Sequence, residues 1–333
     1  MMGNAVPMVE LWRGGMLESS HSGHAVICDA GGQIVQAWGD PAAVIFPRSS
    51  CKMLQALPLI ESGAADAAGL SDAQLALSCA SHQGAAIHTG MVTQWLANLG
   101  LAEGDLRCGT HWPDDVAARN GLIKSDASPC QIHNNCSGKH SGFLTMNKHI
   151  KGGSEYTEID HPLQKAVRAA TEEVTREESP GYGIDGCSAP NFATSVQGLA
   201  RGMAFFAAAS ETGNARSKAA YRLTRAMATY PELVAGETRA CTDLMRAMGG
   251  RVAIKTGAEA VFVAIVPEKR IGIALKITDG GTRAAEAAIT SLLVRAGVLD
   301  ANHPAAQKRL GSDLRNWRGF RTGELRLAQG FVG

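Results

Sequence analysis

Ser49-Ser50-Cys51-Lys52 and, some two hundred residues later, Lys255-Thr256-Gly257 are the parts of this chain whose residue types and spacing can do chemistry together. A serine hydroxyl is a poor nucleophile at neutral pH, and a neutral lysine amine within hydrogen-bond reach is one of the few side chains able to take its proton. Ser49 and Lys52 stand three residues apart, so on a helix they share a face. If Lys255 lay beside Lys52, the two ammonium groups would repel and lower at least one pKa, the condition a lysine base needs near pH 7. Ser-x-x-Lys alone is expected about once by accident in a chain of this length, and Lys-Thr-Gly in roughly one such chain in ten. The weight rests on their joint occurrence and order. The competing reading makes Ser49 a helix cap and Lys52 a solvated residue of the first turn.

The elements around these residues suit the chemistry. Ala42 to Phe46 is an apolar extended run, Pro47 ends it, and Met53, Leu54 and Leu57 open a helical pattern, which puts Ser49 at a strand-to-helix mouth. Lys255 is expected at the end of a strand over Arg251 to Ile254. Ala25 to Cys28 and Gln33 to Ala37 read as a hairpin turning at Asp29-Ala30-Gly31-Gly32, and Glu259 to Val266 and Ile271 to Ile277 as two further strands. Helices are expected over Asp72–Ala80, Ile87–Leu99, Pro162–Thr175 (capped by Asp160 or His161), Ser195–Ala209, Ala215–Thr229, Arg239–Met248 and Arg283–Arg295. Strands at the two ends with helices between imply an α+β fold: one antiparallel sheet built from the chain ends, a mostly helical insert and covering helices. A single composite domain over 1–333 is expected, its sheet-bearing part covering about 1–60 and 240–333 and its helical and loop part about 61–239. Arg107 to Gly142 reads as a long irregular loop, and such loops in compact domains are usually functional.

Composition excludes several classes. Net charge is +1 with no polybasic run and only 5% aromatic residues, so neither a nucleic-acid footprint nor a membrane-surface patch is present. No apolar run approaches the roughly 20 residues of a membrane span. The first forty residues carry Glu10, Arg13 and Glu18 instead of a signal pattern, and a cytoplasmic protein is expected. No glycine-rich phosphate loop follows a strand, which argues against a nucleotide enzyme. The eight cysteines are expected to be reduced in that compartment. Cys28, Cys79, Cys108 and Cys241 read as core residues. Cys136 and Cys187 lie in polar, glycine-bearing segments, where apolar packing explains them poorly.

Ser-x-x-Lys opening a helix and Lys-Thr-Gly on a strand resemble the serine β-lactamase and penicillin-binding fold. A closer likeness spans nearly the whole chain. Phe46-Pro47-Arg48-Ser49-Ser50-Cys51-Lys52, Cys79-Ala80-Ser81-His82, Asn135-Cys136-Ser137-Gly138-Lys139-His140, Asp185-Gly186-Cys187 and Lys255-Thr256-Gly257-Ala258-Glu259 are similar to the blocks of the Rhizobium etli-type L-asparaginases, often called asparaginase II. The resemblance implies hydrolysis of L-asparagine to L-aspartate and ammonia through a seryl acyl-enzyme. It makes Ser49 the nucleophile and Lys52 its base, and makes Ser81 and Lys255 a second serine-lysine pair. It also implies a family-like homodimer. Arg48, His140, Asp185, Thr256 and Gly257 are expected to contact substrate.

Ligand chemistry alone selects Cys136, His140 and Cys187 as zinc donors, because thiolate and imidazole are usual and lysine must first lose its proton. The resemblance instead implies Cys136, Lys139 and Cys187 holding one Zn2+ per chain, with His140 a near neighbour. Two free cysteines in a polar loop without metal is the plainer alternative. His82 and His111 read equally well as structural histidines, and Asp185 as a turn residue. Two other functions stay open: a zinc hydrolase in which the metal activates water, and a penicillin-recognising serine hydrolase. The latter lacks a Ser-Asp-Asn element, since Ser71-Asp72 and Ser125-Asp126 are each followed by alanine.

Overall fold

Unbroken apolar runs mark the centre of the molecule. Val261 to Val266 and Gly272 to Ile277 are buried throughout, as strands covered on both faces must be. A computed structural model describes residues 4–311 and 313–332. In chain order its first part holds β1 (Val6–Arg13), β2 (Met16–Asp29), β3 (Ile34–Trp38), β4 (Val44–Ile45), α1 (Lys52–Glu61), α2 (Ala64–Ala67), α3 (Asp72–Ser78), α4 (Ala86–Asn98), α5 (Val116–Lys124), α6 (Ser137–His149) and α7 (Pro162–Thr175). Then follow β5 (Tyr182–Ile184), β6 (Pro190–Phe192), β7 (Thr194–Ser195), α8 (Val196–Ala208), α9 (Ala215–Thr229), α10 (Pro231–Ala235) and α11 (Ala240–Ala247). The chain closes with β8 (Ala253–Gly257), β9 (Val261–Val266), β10 (Ile271–Ile277), α12 (Thr282–Arg295), α13 (Pro304–Gln307), β11 (Asp313–Arg315), β12 (Arg321–Leu327) and α14 (Gln329–Val332).

Eight strands from the two chain ends form one antiparallel sheet in the order β11-β12-β1-β2-β10-β9-β8, with β3 paired to β2. The fold is α+β, as the strand clustering requires. α8 lies across β10, β2 and β9, and α12 across β9, β10 and β1. Gly272 permits the close approach of α8, because a Cβ there would stand 2.0 Å from the Ala204 nitrogen. α1 runs through the helical part against α6, α7 and α9, and every residue from Lys52 to Ile60 is buried. A helix apolar all round belongs in a core, so Lys52 enters that core with it.

Several expectations need correction. β1, β11 and β12 are absent from the expected set; β1 alternates only over Val9 to Leu11, and β11 and β12 are polar strands at one margin of the sheet. Lys255 stands in the middle of β8, not at the end of a strand over Arg251 to Ile254, because β8 begins two residues later and runs to Gly257. The strand expected from Glu259 begins at Val261, since Glu259 and Ala260 have positive φ and belong to the turn. The stretch Arg107 to Gly142 is not one irregular loop: it contains α5 and the first half of α6. Glycine and asparagine lower helix propensity there, and burial of Ser137 to Asn147 overrides it. His161, not Asp160, caps α7 through its ring nitrogen, with Pro162 in the first turn. The insert also carries two short strand pairs, β4-β7 and β5-β6.

Candidate active site

Pro47 ends the extended run, and Arg48 to Cys51 form one 3-10 turn that leads directly into α1. Arg48 takes a left-handed backbone, φ 52°, an unfavourable conformation for a long side chain. Such strain persists only where surrounding bonds fix it. Here the Asn191 carboxamide oxygen accepts from the Arg48 nitrogen at 3.0 Å, and the Cys51 thiol donates to the Arg48 carbonyl at 3.1 Å. Ser49 follows Arg48 on this braced turn and is half-buried. The end of β8 packs on the same turn. A Cβ on Gly257 would lie 2.6 Å from the Pro47 carbonyl oxygen and 3.0 Å from the Ser50 nitrogen, so only glycine fits there.

Behind Ser49, three side chains from three elements meet. Ser81 Oγ accepts from Lys52 Nζ at 3.0 Å and lies 2.9 Å from Lys255 Nζ. Lys52 Nζ also bonds the Ala80 carbonyl and Cys136 Sγ, the latter at 3.1 Å, and Lys255 Nζ donates to the Thr256 carbonyl at 2.7 Å. Lys52 thus contacts Ser81, where the sequence pairs it with Ser49. Burial lowers the Lys255 pKa to about 7, with repulsion from Lys52 adding to the effect. A hydroxyl between two amines, one of them neutral near pH 7, is a path along which a proton can pass in either direction.

The second cluster lies against the first through Cys136. Cys136 and Cys187 are both buried and in contact, and Lys139 Nζ donates to Cys187 Sγ at 3.0 Å. The Cys187 thiol is held well below the usual range, by its contact with Cys136 and by Lys139 and His140, whereas that contact and burial push Cys136 up. Lys139 is itself raised by the two sulfurs against the cost of burial. His140 Nδ1 stands 2.8 Å from the Tyr156 hydroxyl, which accepts from the Arg107 nitrogen at 2.8 Å. The hydroxyl hydrogen is satisfied only by donation to Nδ1, which leaves the His140 proton on Nε2. That buried nitrogen has no hydrogen-bond partner of good geometry and stands beside Cys187. Burial lowers the His140 pKa to about 4.

The L-asparaginase II family model matches residues 9–327. The chain belongs to that family. Membership makes it a hydrolase of the L-asparaginase type. No curated protein matches it. Among solved structures the chain is similar to a β-lactamase from Mycobacterium bovis, at 14% identity over 83% of this chain and 95% of that one with a TM-score of 0.44. It is also similar to a putative β-lactamase from Bacteroides dorei DSM 17855, at 9% identity over 82% and 93% with a TM-score of 0.44.

The remaining expected residues of this L-asparaginase II chain fall around the two clusters. Arg48 Nε and Nη2 both donate to Asp185 Oδ1, at 3.1 and 2.8 Å, and the Gly186 nitrogen donates to that same oxygen at 2.8 Å. Asp185 Oδ1 is thereby committed to Arg48 and to its own turn. Thr256 and Gly257 are half-buried on β8. His82 is structural: its Nδ1 accepts from the Gly84 nitrogen, its Nε2 meets Ser137 Oγ at 3.0 Å, and burial keeps it neutral. His111 is exposed. All eight cysteines are free, and Cys28, Cys79, Cys108 and Cys241 are buried. Asn191 and Tyr156 carry no sign in the sequence, and Cys51, though inside the Ser-x-x-Lys segment, carries none of its role. Asn191 and Cys51 act through one backbone turn and Tyr156 through one tautomer, and neither role is announced by residue type or spacing.

Among the described residues, no three of histidine, cysteine, aspartate and glutamate gather closely enough to hold a metal ion. Cys136 and His140 both adjoin Cys187. Lys139 meets the cysteine pair at Cys187, and Lys52 and Asn135 meet it at Cys136. No helix among these residues is long and apolar enough to cross a membrane.

Proposed function

We propose that the protein is an L-asparaginase that hydrolyses L-asparagine to L-aspartate and ammonia through an ester on Ser49. The observation that carries the reading is Ser81 Oγ bridging Lys52 and Lys255 directly behind the Ser49 turn, and burial that lets Lys255 exchange its proton near pH 7 supports it. Lys255 takes a proton from Lys52 through Ser81, which leaves Lys52 able to receive the Ser49 proton as Oγ attacks the side-chain amide carbon. The same relay returns the proton to the departing nitrogen, and ammonia leaves. A water molecule then attacks the ester with the relay again as base, releasing aspartate and restoring the Ser49 hydroxyl. Arg48 is the cation available to the substrate's α-carboxylate.

The second cluster supports a zinc ion held by Cys136, Lys139 and Cys187. The donors fit: two buried sulfurs in contact, one already drawn toward thiolate, and an amine on the next turn of α6. Tyr156 makes His140 an Nε2–H donor, which cannot ligate, and this favours Lys139 over the imidazole. When bound, zinc supplies a Lewis-acidic centre that grips substrate and ties the Asp185-Gly186-Cys187 loop to α6. Cytoplasmic location and a homodimer complete the proposal. Val44, Phe46, Tyr182 and Ile184 stand exposed on the two short segments that lead into Arg48 and Asp185, an apolar rim suited to a second copy.

The test is ammonia release from L-asparagine and L-glutamine alongside hydrolysis of a chromogenic β-lactam. Activity on L-asparagine and none on the β-lactam is expected, and the reverse sinks the reading. Ser49→Ala should lose activity by at least about 10³-fold with its fold intact, since the change removes the atom that forms the ester. Retention of more than a few per cent of turnover would mean that another group attacks.

A further inference from the structure

Glu259 occupies a position whose backbone asks for glycine. It and Ala260 both have φ 57° in the β8-β9 turn, a pair of left-handed residues for which glycine, asparagine and aspartate are the usual choices. Two ties hold the turn in this conformation. Lys276, buried near the end of β10, gives its ammonium to the Glu259 carbonyl oxygen, and the Ile277 nitrogen donates to the Ala260 carbonyl at 3.1 Å. A buried lysine spent on one turn carbonyl is a costly device, so the turn serves more than chain reversal.

The Glu259 side chain is exposed, and one carboxylate oxygen rests against Gly280. It lies close enough to Arg48 and Lys276 for its charge to act on both. An amino-acid substrate brings an α-carboxylate and an α-ammonium group to the mouth beside Ser49. Arg48 has its Nη1 edge left for the carboxylate. The ammonium needs a carboxylate, and at Asp185 the Oδ1 already accepts three donors, which leaves only its Oδ2. Glu259 is the other carboxylate whose charge acts on Arg48, two residues beyond Gly257, which packs on the nucleophile turn.

We propose that Glu259 binds the α-ammonium group of the substrate and that Lys276 is the positioning residue that holds its strained turn in place. This rests on the asparaginase reading above. The experiment compares L-asparagine with succinamic acid, the same molecule without the α-ammonium group, used as a competitive inhibitor. Glu259→Gln should raise KM for L-asparagine about tenfold, some 1.4 kcal/mol, with kcat held within twofold and Ki for succinamic acid unchanged. Glu259→Gly should raise the melting temperature, because it supplies the residue the backbone favours, and still show the same KM loss. Lys276→Met should give the same split between KM and Ki. The proposal is overturned if Glu259→Gln leaves KM unmoved, or if KM and Ki rise together in Glu259→Gln and Glu259→Gly. A wild-type protein that releases no ammonia from L-asparagine marks failure of the asparaginase reading instead.

Discussion

Lys255 and Lys139 are both fully buried, both contact a side chain of the site, and respond in opposite directions. Lys255 meets a hydroxyl and a second lysine, and its pKa falls to about 7. Lys139 meets two sulfurs, and its pKa rises despite an equal loss of water. Burial always disfavours the ammonium form, so the sign of the neighbours decides the outcome. One lysine is thereby prepared to accept a proton at neutral pH. The other holds its proton until something stronger than a proton competes for the amine.

That contrast breaks first at Lys255. Lys255→Arg keeps the charge but removes the ability to lose a proton near neutrality, and Lys255→Met removes both. Each should lower kcat by about 10² to 10⁴-fold, the range general-base catalysis supplies. In the wild type, kcat/KM should rise with pH through about 7, because the base must be neutral to act and Lys255 loses its proton there. Steady-state rates from mildly acidic to mildly alkaline pH check both points. Near-normal turnover in Lys255→Arg, or a profile flat across neutrality, would make Lys255 a fixed charge and return the base role to Lys52 alone.

How legible these two lysines were differs for a physical reason. Ser49 and Lys52 stand at an element boundary written plainly in the chain, a proline followed by an apolar helix start, and Lys255 stands in a strand-bound Lys-Thr-Gly. The strand clustering at the two ends also gave the antiparallel sheet. The partner of Lys52 was not legible, since Ser81 arrives from the end of α3 and only packing brings it within 3.0 Å. The helical setting of Lys139 was hidden by the glycine and asparagine content of its segment, where burial of α6 overrides propensity. Strain at Arg48, Glu259 and Ala260 left no compositional trace, because nothing about arginine, glutamate or alanine signals a left-handed backbone.

The second cluster sharpens the comparison at smaller cost to the rate. Purified protein should contain about one zinc per chain, lost in Cys136→Ser and in Cys187→Ser. Because Lys139 must give up its proton to ligate, zinc affinity should increase with pH, as titration with a competing chelator would show. Metal-free protein should have a KM raised by about tenfold or more with kcat largely kept, the pattern of lost ground-state and transition-state binding together. Abolished kcat, with no acyl adduct on Ser49 in quenched reactions, would instead identify a hydrolase whose attacking group is made at the metal.

The smallest effect concerns stability and isolates the burial of Lys255 from its chemistry. An unfolded lysine titrates near pH 10.4, while the folded one does so near 7. Below pH 7 both states are protonated and the fold bears the whole cost of a buried charge. Between pH 7 and about 10.4 the unfolded chain binds more protons than the fold, so wild-type stability rises with pH from this group. Lys255→Met removes the cost at every pH. Its melting temperature should exceed that of the wild type by a few degrees at about pH 6, and the gain should shrink toward zero as pH approaches 10. Other groups that titrate in the window act on both proteins and cancel in the difference. Calorimetry of the pair across this range reads the effect directly, and a gain that stayed constant with pH would mean that Lys255 keeps its proton in the fold over the same range as in the unfolded chain, so that burial does not lower its pKa.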